Sequence, residues 1–317
     1  MADTRLAYPE GRLILRDVTL RDGLQLTRSW PSTDQKRALL EALYSAGLRH
    51  FEVGSFLPAD RMPQFADVRD IVDAVAVLPG AHGVALALNE RGARDALATQ
   101  VPEITVVLSA SEAHNQANAR RSKKESLAAV ARITALRDAE RRDTIVNAGI
   151  AMAFGCSLSG EVEEDTVLRL VEQCLEAGAD MVGLADTVGY GGPRQIAQMA
   201  RRMSALCGQR PWVLHLHDTR GLGLANAAAA MNEGCRVFDA SLGGLGGCPF
   251  APGASGNIVL EDLAFLAVQM GFDTDIGLEA LIAARPHLSD SLPGEVMHGA
   301  LAQAGLPQTG SGQRALY

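Results

Sequence analysis

AGLRHFEV (residues 46–53) reads as a helix end, a glycine turn and the start of a strand. The same reading recurs at AGADMVGL (177–184) and EGCRVFDA (233–240). Glycine just past a helix end adopts the left-handed backbone that closes the helix, so the repeat needs no functional cause. It marks a chain built from helix–turn–strand units. Working outward, short apolar runs predict strands at Leu13–Asp17, His50–Gly54, His82–Leu88, Glu103–Ser109, Val146–Phe154, Met181–Ala185, Val213–His217 and Val237–Ser241. Longer amphipathic stretches predict helices at Thr33–Ala46, Val68–Val77, Lys123–Ala139, Glu163–Ala177, Pro193–Ala205 and Leu224–Glu233. Strands separated by helices form a parallel sheet. Eight such units in about 250 residues favour closure, so the expected fold is α/β, a TIM (β/α)8 barrel over about residues 13–270. An open, doubly wound sheet is the alternative, but no GxGxxG fingerprint follows the first strand. Residues 1–317 are read as a single barrel domain with a short C-terminal helical extension from about residue 271. The last residues, QTGSGQRALY after Pro307, are expected to be disordered.

The bulk numbers agree. Hydrophobic residues make up 47% of 317 and aromatics only 4%, so a large core is built from Ala, Val, Leu and Ile. The net charge of -8 argues against nucleic acid as a partner, because phosphate backbones require a basic surface. A small anionic substrate needs only a local basic pocket. Five cysteines, without CxxC spacing, argue against a disulfide framework or a structural zinc site. MADTRLAYPEGRLIL lacks the apolar run of a signal peptide, and no segment reaches membrane-spanning length. A reduced, cytoplasmic protein with no membrane partner is expected. A homo-oligomer is compatible with the apolar C-terminal segments.

The chemistry-bearing residues sit at predicted strand ends, where barrel enzymes keep their active sites. In WVLHLHDT, His215 and His217 are two residues apart on a strand and face the same way, as half of a metal site would require. Alone, such a pair is more often one buried, satisfied histidine and one incidental one. RDVTLRDG places Asp17, Arg21 and Asp22 after the first strand: Asp22 as a candidate metal ligand, Arg21 as a clamp for a developing oxyanion. Glu52 and Asp186 end the second and sixth strands as candidate bases or orienting groups. Acidic groups at three strand ends around an HxH pair point to a site rather than to three helix caps. SLGGLGGCPFAPGASGN (241–257) is glycine-rich enough for a lid over the barrel mouth. It carries Cys248, a candidate proton donor or nucleophile, and ends at Asn257, which offers the metal an oxygen.

TLRDG, HLHD and GGLGGCPFAPGASGN together resemble the 3-hydroxy-3-methylglutaryl-CoA lyase family, within the metal-dependent TIM-barrel lyases and synthases. RDGLQ (21–25), EVGSF (52–56), SASE (109–112), ADTVG (185–189) and ASGN (254–257) match in order, from about Leu13 to Leu266. The GGLGGC loop is specific to the lyase branch. The resemblance implies Mg²⁺ or Mn²⁺ on Asp22, His215, His217 and Asn257, with Arg21 stabilising an acetyl-CoA enolate. It makes Cys248 the acid/base of the mobile loop, gives Asp17 and Glu52 supporting roles, and puts Asp186 near the substrate hydroxyl. It implies Gln25, Ser55, Ser109 and Asn118 as substrate-binding residues, with Arg120 a further candidate, an acyl-CoA thioester as partner, and a place in leucine degradation. Two departures stand out. DVTLRDGLQ replaces the usual EVGPRDGLQ and is closer to the condensing synthases of the isopropylmalate and homocitrate type. AHNQANARRS (113–122) replaces a stretch like FxxKNINCS, keeping Asn118 but placing Ala117 and Arg120 where lysine and asparagine are usual. Citramalyl-CoA is therefore an alternative substrate. Arg120, Arg121, Lys123 and Lys124 either meet the CoA phosphates or form a solvated helix start.

Overall fold

The computed structural model describes residues 2–140, 143–247 and 256–307. Eight parallel strands close a barrel in sequence order: β1 (Ile14–Asp17), β2 (His50–Ser55), β3 (His82–Leu86), β4 (Glu103–Ser109), β5 (Ile145–Ala151), β6 (Met181–Asp186), β7 (Trp212–Leu216) and β8 (Val237–Ala240). Closure is the pairing of β8 with β1, from Ile14 opposite Val237 to Asp17 opposite Ala240. The surrounding helices are α1 (Thr33–Ser45), α2 (Val68–Ala76), α3 (Glu90–Leu97), α4 (Glu112–Ala119), α5 (Lys123–Ala139), α6 (Glu164–Glu176), α7 (Pro193–Cys207), α8 (Gly223–Asn232) and α9 (Leu260–Gln269). The short helices α10 (Leu278–Ala283), α11 (Arg285–Ser289) and α12 (Ala300–Ala304) pack on α1 and α9. The tail after Pro307 lies outside the described residues.

The expected barrel is present, with local differences. The sequence pattern passed over α3 and α4, which are short and begin at polar caps: the Asn89 side chain accepts from Gly92 N, and that of Ser111 from His114 N. β5 stops at Ala151 rather than Phe154, and Met152 follows with a φ of 56°. Among the described residues no helix is long and apolar enough to cross a membrane. Cys156, Cys174, Cys207 and Cys235 are buried free thiols.

Strand alternation sorts each strand into two faces. Outward residues such as Leu15, Leu184, Leu214 and Phe238 join the large core between barrel and helices. Inward residues form layers inside the barrel. The lowest holds Ile14, Ile145, Met181, Val213 and Val237, with Tyr8 packed against them from before the first strand. The layer above is polar and includes Arg16, Asn147, His215 and Asp239, which line a cavity.

Candidate active site

The cavity, of about 310 Å³, opens at the C-terminal ends of the strands. Asp22, His215 and His217 converge on it, their candidate ligand atoms all within 4.8 Å of one another. Among the described residues this is the one such grouping of three or more His, Cys, Asp or Glu side chains. His215 Nε2 and His217 Nε2 lie 3.0 Å apart, and Asp22 Oδ2 is 3.9 Å from the first and 3.6 Å from the second.

Local structure explains the convergence. TLRDG (Thr19–Gly23) winds as one π turn, with Gly23 N bonded to Val18 O at 3.1 Å. Such turns recur at functional sites because they widen the helix and re-aim side chains. Here Arg21 and Asp22 both reach the cavity wall. On β2 the register slips between Glu52 and Gly54. An odd spacing would place Glu52 and Ser55 on opposite faces, but the bulge brings both to the cavity. Asn257 pairs with His217 across an isolated bridge, flanked by Asp218 N to Gly256 O and Ile258 N to Leu216 O. The amide of Asn257 donates to Asp22 Oδ2 at 2.9 Å and to Leu245 O at 3.1 Å.

Arg21 is the cation beside this cluster. Its Nη1 donates to Asp22 Oδ1 at 2.5 Å and to Gln25 Oε1 at 3.3 Å, and its Nε is 2.6 Å from Glu52 Oε2. Burial alone would raise the Asp22 carboxyl, but Arg21 and the two imidazoles outweigh it and hold Asp22 well below the usual carboxylate range. Glu52 goes the other way: burial raises it despite Arg21 and Arg16. His215 is raised against burial by its bond to Asp239 and by Asp22.

The residues present fit a divalent cation. Two imidazole nitrogens and a carboxylate oxygen face one point, and Asn257 Oδ1 is buried without a hydrogen-bond partner. In the cavity wall the carboxylates of Asp22, Glu52 and Asp239 outnumber the guanidiniums of Arg16 and Arg21 by one. A bound cation offsets such an excess of buried negative charge. Nitrogen and oxygen donors without thiolate suit a divalent cation.

Other predicted residues fall into two groups. Gln25, Ser55 and Asn118 line the cavity with Arg21, Asp22, Glu52, His215 and His217. Asp17, Ser109, Asp186 and Arg120 are not in its wall. Asp17 shares a strand with Arg16 and so faces outward, where it accepts from Thr19 Oγ1; burial pushes its carboxyl up to about 7. Asp186 faces outward on β6 and ties the following loop, accepting from Tyr190 N at 2.8 Å and Gly191 N at 3.0 Å. Ser109 Oγ is 3.0 Å from Nδ1 of His114, whose ring does line the cavity. Arg120 closes α4 with a φ of 53°. Arg121 Nη1 donates to Leu88 O and Lys123 Nζ to Ala110 O. Cys248 and the loop to Ser255 lie outside the described residues. The sequence reading missed Arg16, Thr105, His114, Asn147 and Asp239, all of which line the cavity. Strand alternation, counted from Ile14 and Val237, was the signal for Arg16 and Asp239.

Known proteins place this geometry. A family model described as HMGL-like matches residues 12–287. The hydroxymethylglutaryl-CoA lyase YngG of Bacillus subtilis is 34% identical, over 90% of this chain and 95% of the relative. The (R)-citramalyl-CoA lyase of Chloroflexus aurantiacus is 38% identical, over 87% of this chain and 90% of the relative. Among solved structures, an HMG-CoA lyase from Acinetobacter baumannii in complex with coenzyme A and 3-methylmalate superposes with a TM-score of 0.86. It is 38% identical and covers 93% of this chain and 95% of its own. With a closed eight-stranded barrel and a match along most of its length, the chain belongs to the HMGL-like family, whose relatives are carbon–carbon lyases.

Proposed function

We propose that this protein is a metal-dependent lyase that cleaves 3-hydroxy-3-methylglutaryl-CoA, or a close 3-hydroxyacyl-CoA, to acetyl-CoA and a ketoacid. The observation that carries the reading is the grouping of Asp22, His215 and His217 beside Arg21 in one cavity. The bond that breaks joins C2 and C3 of the acyl chain. The hydroxyl proton passes to a base, C3 becomes a ketone, the electron pair passes to the thioester as an enolate, and one proton returned at C2 restores the balance.

Asp22, His215, His217 and Asn257 would hold Mg²⁺ or Mn²⁺, which when bound orients the substrate and lowers the pKa of its hydroxyl. Arg21 is part-buried, paired with Glu52 and Asp22, and so fixed before substrate arrives. A preorganised guanidinium of this kind stabilises charge that develops on the thioester oxygen. Glu52 orients Arg21, and Gln25 limits its remaining freedom. We assign delivery of the proton at C2 to Cys248. Asp186 acts through the loop it ties and Ser109 through His114, while Asp17 supports the turn that carries Arg21 and Asp22. Ser55, Asn118 and Arg120 are assigned to substrate binding, Arg120 from outside the cavity wall. With 3-hydroxy-3-methylglutaryl-CoA the reaction belongs to leucine degradation, and we place it in the cytoplasm.

A second reading is citramalyl-CoA cleavage to acetyl-CoA and pyruvate, favoured by the Chloroflexus aurantiacus relative. A thioester panel with product identification tests both. Metal-stripped protein should be inactive, and Mg²⁺ or Mn²⁺ should restore release of acetyl-CoA with acetoacetate or pyruvate. Cleavage of neither thioester would overturn the proposal, and consumption of acetyl-CoA with a 2-oxoacid would replace it with a condensing enzyme.

A further inference from the structure

We propose that Arg16 is a positioning residue for the metal site, holding Asp239 so that His215 presents Nε2 to the cation. Arg16 is 2% exposed and lies inside the barrel, an expensive place for a guanidinium unless its partners are fixed. Its Nε donates to Asp239 Oδ1 at 2.6 Å and its Nη2 to Oδ2 at 3.1 Å, a two-pronged contact that sets the plane of the carboxylate. The same Oδ2 lies 3.0 Å from His215 Nδ1. A carboxylate there can only accept, so Nδ1 carries the hydrogen and the lone pair of Nε2 points toward His217 and Asp22.

The third nitrogen, Nη1, donates to Glu103 Oε1 at 2.9 Å. Glu103 is in turn held by Tyr8 Oη at 2.6 Å, Asn147 Nδ2 at 3.2 Å and His82 Nε2 at 3.0 Å. Arg16 is thus braced from below and cannot swing without leaving buried carboxylates unpaired. It lies in the cavity floor, yet its Nε, Nη1 and Nη2 all bond to the protein. That makes its part positional rather than substrate-binding. Lysine would keep the charge but not the fork, since one ammonium cannot fix both oxygens of Asp239 while also meeting Glu103.

The test is Arg16→Lys in the full-length protein. Folding is checked by circular dichroism, Mn²⁺ affinity by calorimetry without substrate, and ligand geometry by the absorption spectrum of the Co²⁺-loaded protein. Arg16→Lys should fold, bind Mn²⁺ about 10- to 100-fold more weakly and shift the Co²⁺ bands. Arg137→Lys, the same exchange at a buried arginine paired with Asp180 outside the cavity, should bind Mn²⁺ as the wild type does. A folded Arg16→Lys with wild-type affinity and spectrum overturns the proposal. Should Arg16→Lys fail to fold, Asp239→Asn, which preserves the side-chain shape, carries the same expectation and the same refutation. The inference rests on Asp22, His215 and His217 being metal ligands. A wild-type protein that binds no Mn²⁺ removes that reading, whereas equal Mn²⁺ affinity in wild type and variant removes only this one.

Discussion

Gly246 touches the site without contributing a side chain, and replacing it with alanine isolates the placement of Asn257. Its φ is +139°, and a Cβ there would lie 2.5 Å from Asn257 Nδ2 and 3.4 Å from Asp22 Oδ2. Non-bonded heavy atoms settle at about 3.5–4.0 Å, so the amide must retreat by about 1 Å. The backbone of Asn257 cannot retreat with it, because the bridge to His217 and the bonds on either side tie it to the strand end. The side chain turns away instead and leaves Asp22 Oδ2. The strained backbone costs about 1–3 kcal/mol locally, small enough for the barrel to fold. Misplacement by about 1 Å in an active site lowers the rate by about 100-fold, and metal affinity should fall by about tenfold. Gly247→Ala is the control: its Cβ would meet only Leu26 Cδ1 at 3.4 Å, an ordinary contact, and its φ is not in the left-handed range. The assays are Mn²⁺ calorimetry without substrate and metal-dependent release of acetyl-CoA. If Gly246→Ala matches Gly247→Ala in both, Asn257 is not held for the metal and the account of this strand end fails.

Three further outcomes are expected. Asp17, raised to about 7 by burial, favours folding when protonated. Its stabilisation is therefore full below its unfolded pKa of about 3.9 and is lost as pH rises through about 7. Asp17→Asn should gain on the wild type between those values and level off above them, by up to about 4 kcal/mol in urea unfolding at pH 8; a pH-independent difference would refute the placement. Cys248→Ala should lower kcat by at least about 100-fold with Mn²⁺ affinity unchanged, and an unaltered kcat would strip the cysteine of its role. Replacing Arg120 and Lys124 together by alanine should raise KM for the CoA thioester but not for the same acyl group on a truncated pantetheine lacking the nucleotide. Equal KM changes for the two substrates would count against a phosphate contact.

The barrel was legible because its signal is repetitive. Eight apolar runs at regular spacing, with glycine turns such as Gly47, Gly178 and Gly234 before three of them, leave few alternatives. The site was legible where several motifs converge and not where one side chain had to be assigned a face. Asp17 and Asp186 stand out in the sequence because they are acidic and end strands, yet alternation turns both away from the cavity. Arg16 and Asp239 sit on the inward face of their strands, but a lone arginine before an aspartate reads as a surface ion pair. That Asp239 stands opposite His215 is a matter of register, which a single sequence does not display. Ser55 shows the reverse case, reaching the cavity only because a bulge between Glu52 and Gly54 breaks the alternation.

Tyr8 precedes the barrel in the chain but belongs to its interior. Its ring packs against His50 and His82 at the closed end, its hydroxyl holds Glu103, and Ala7 O accepts from His50 Nε2. The segment that a cloning strategy would trim or tag most freely is therefore the stopper of the barrel. A shortened start that omits Tyr8 would take from Glu103 its shortest hydrogen bond and let solvent into the lowest layer of the barrel.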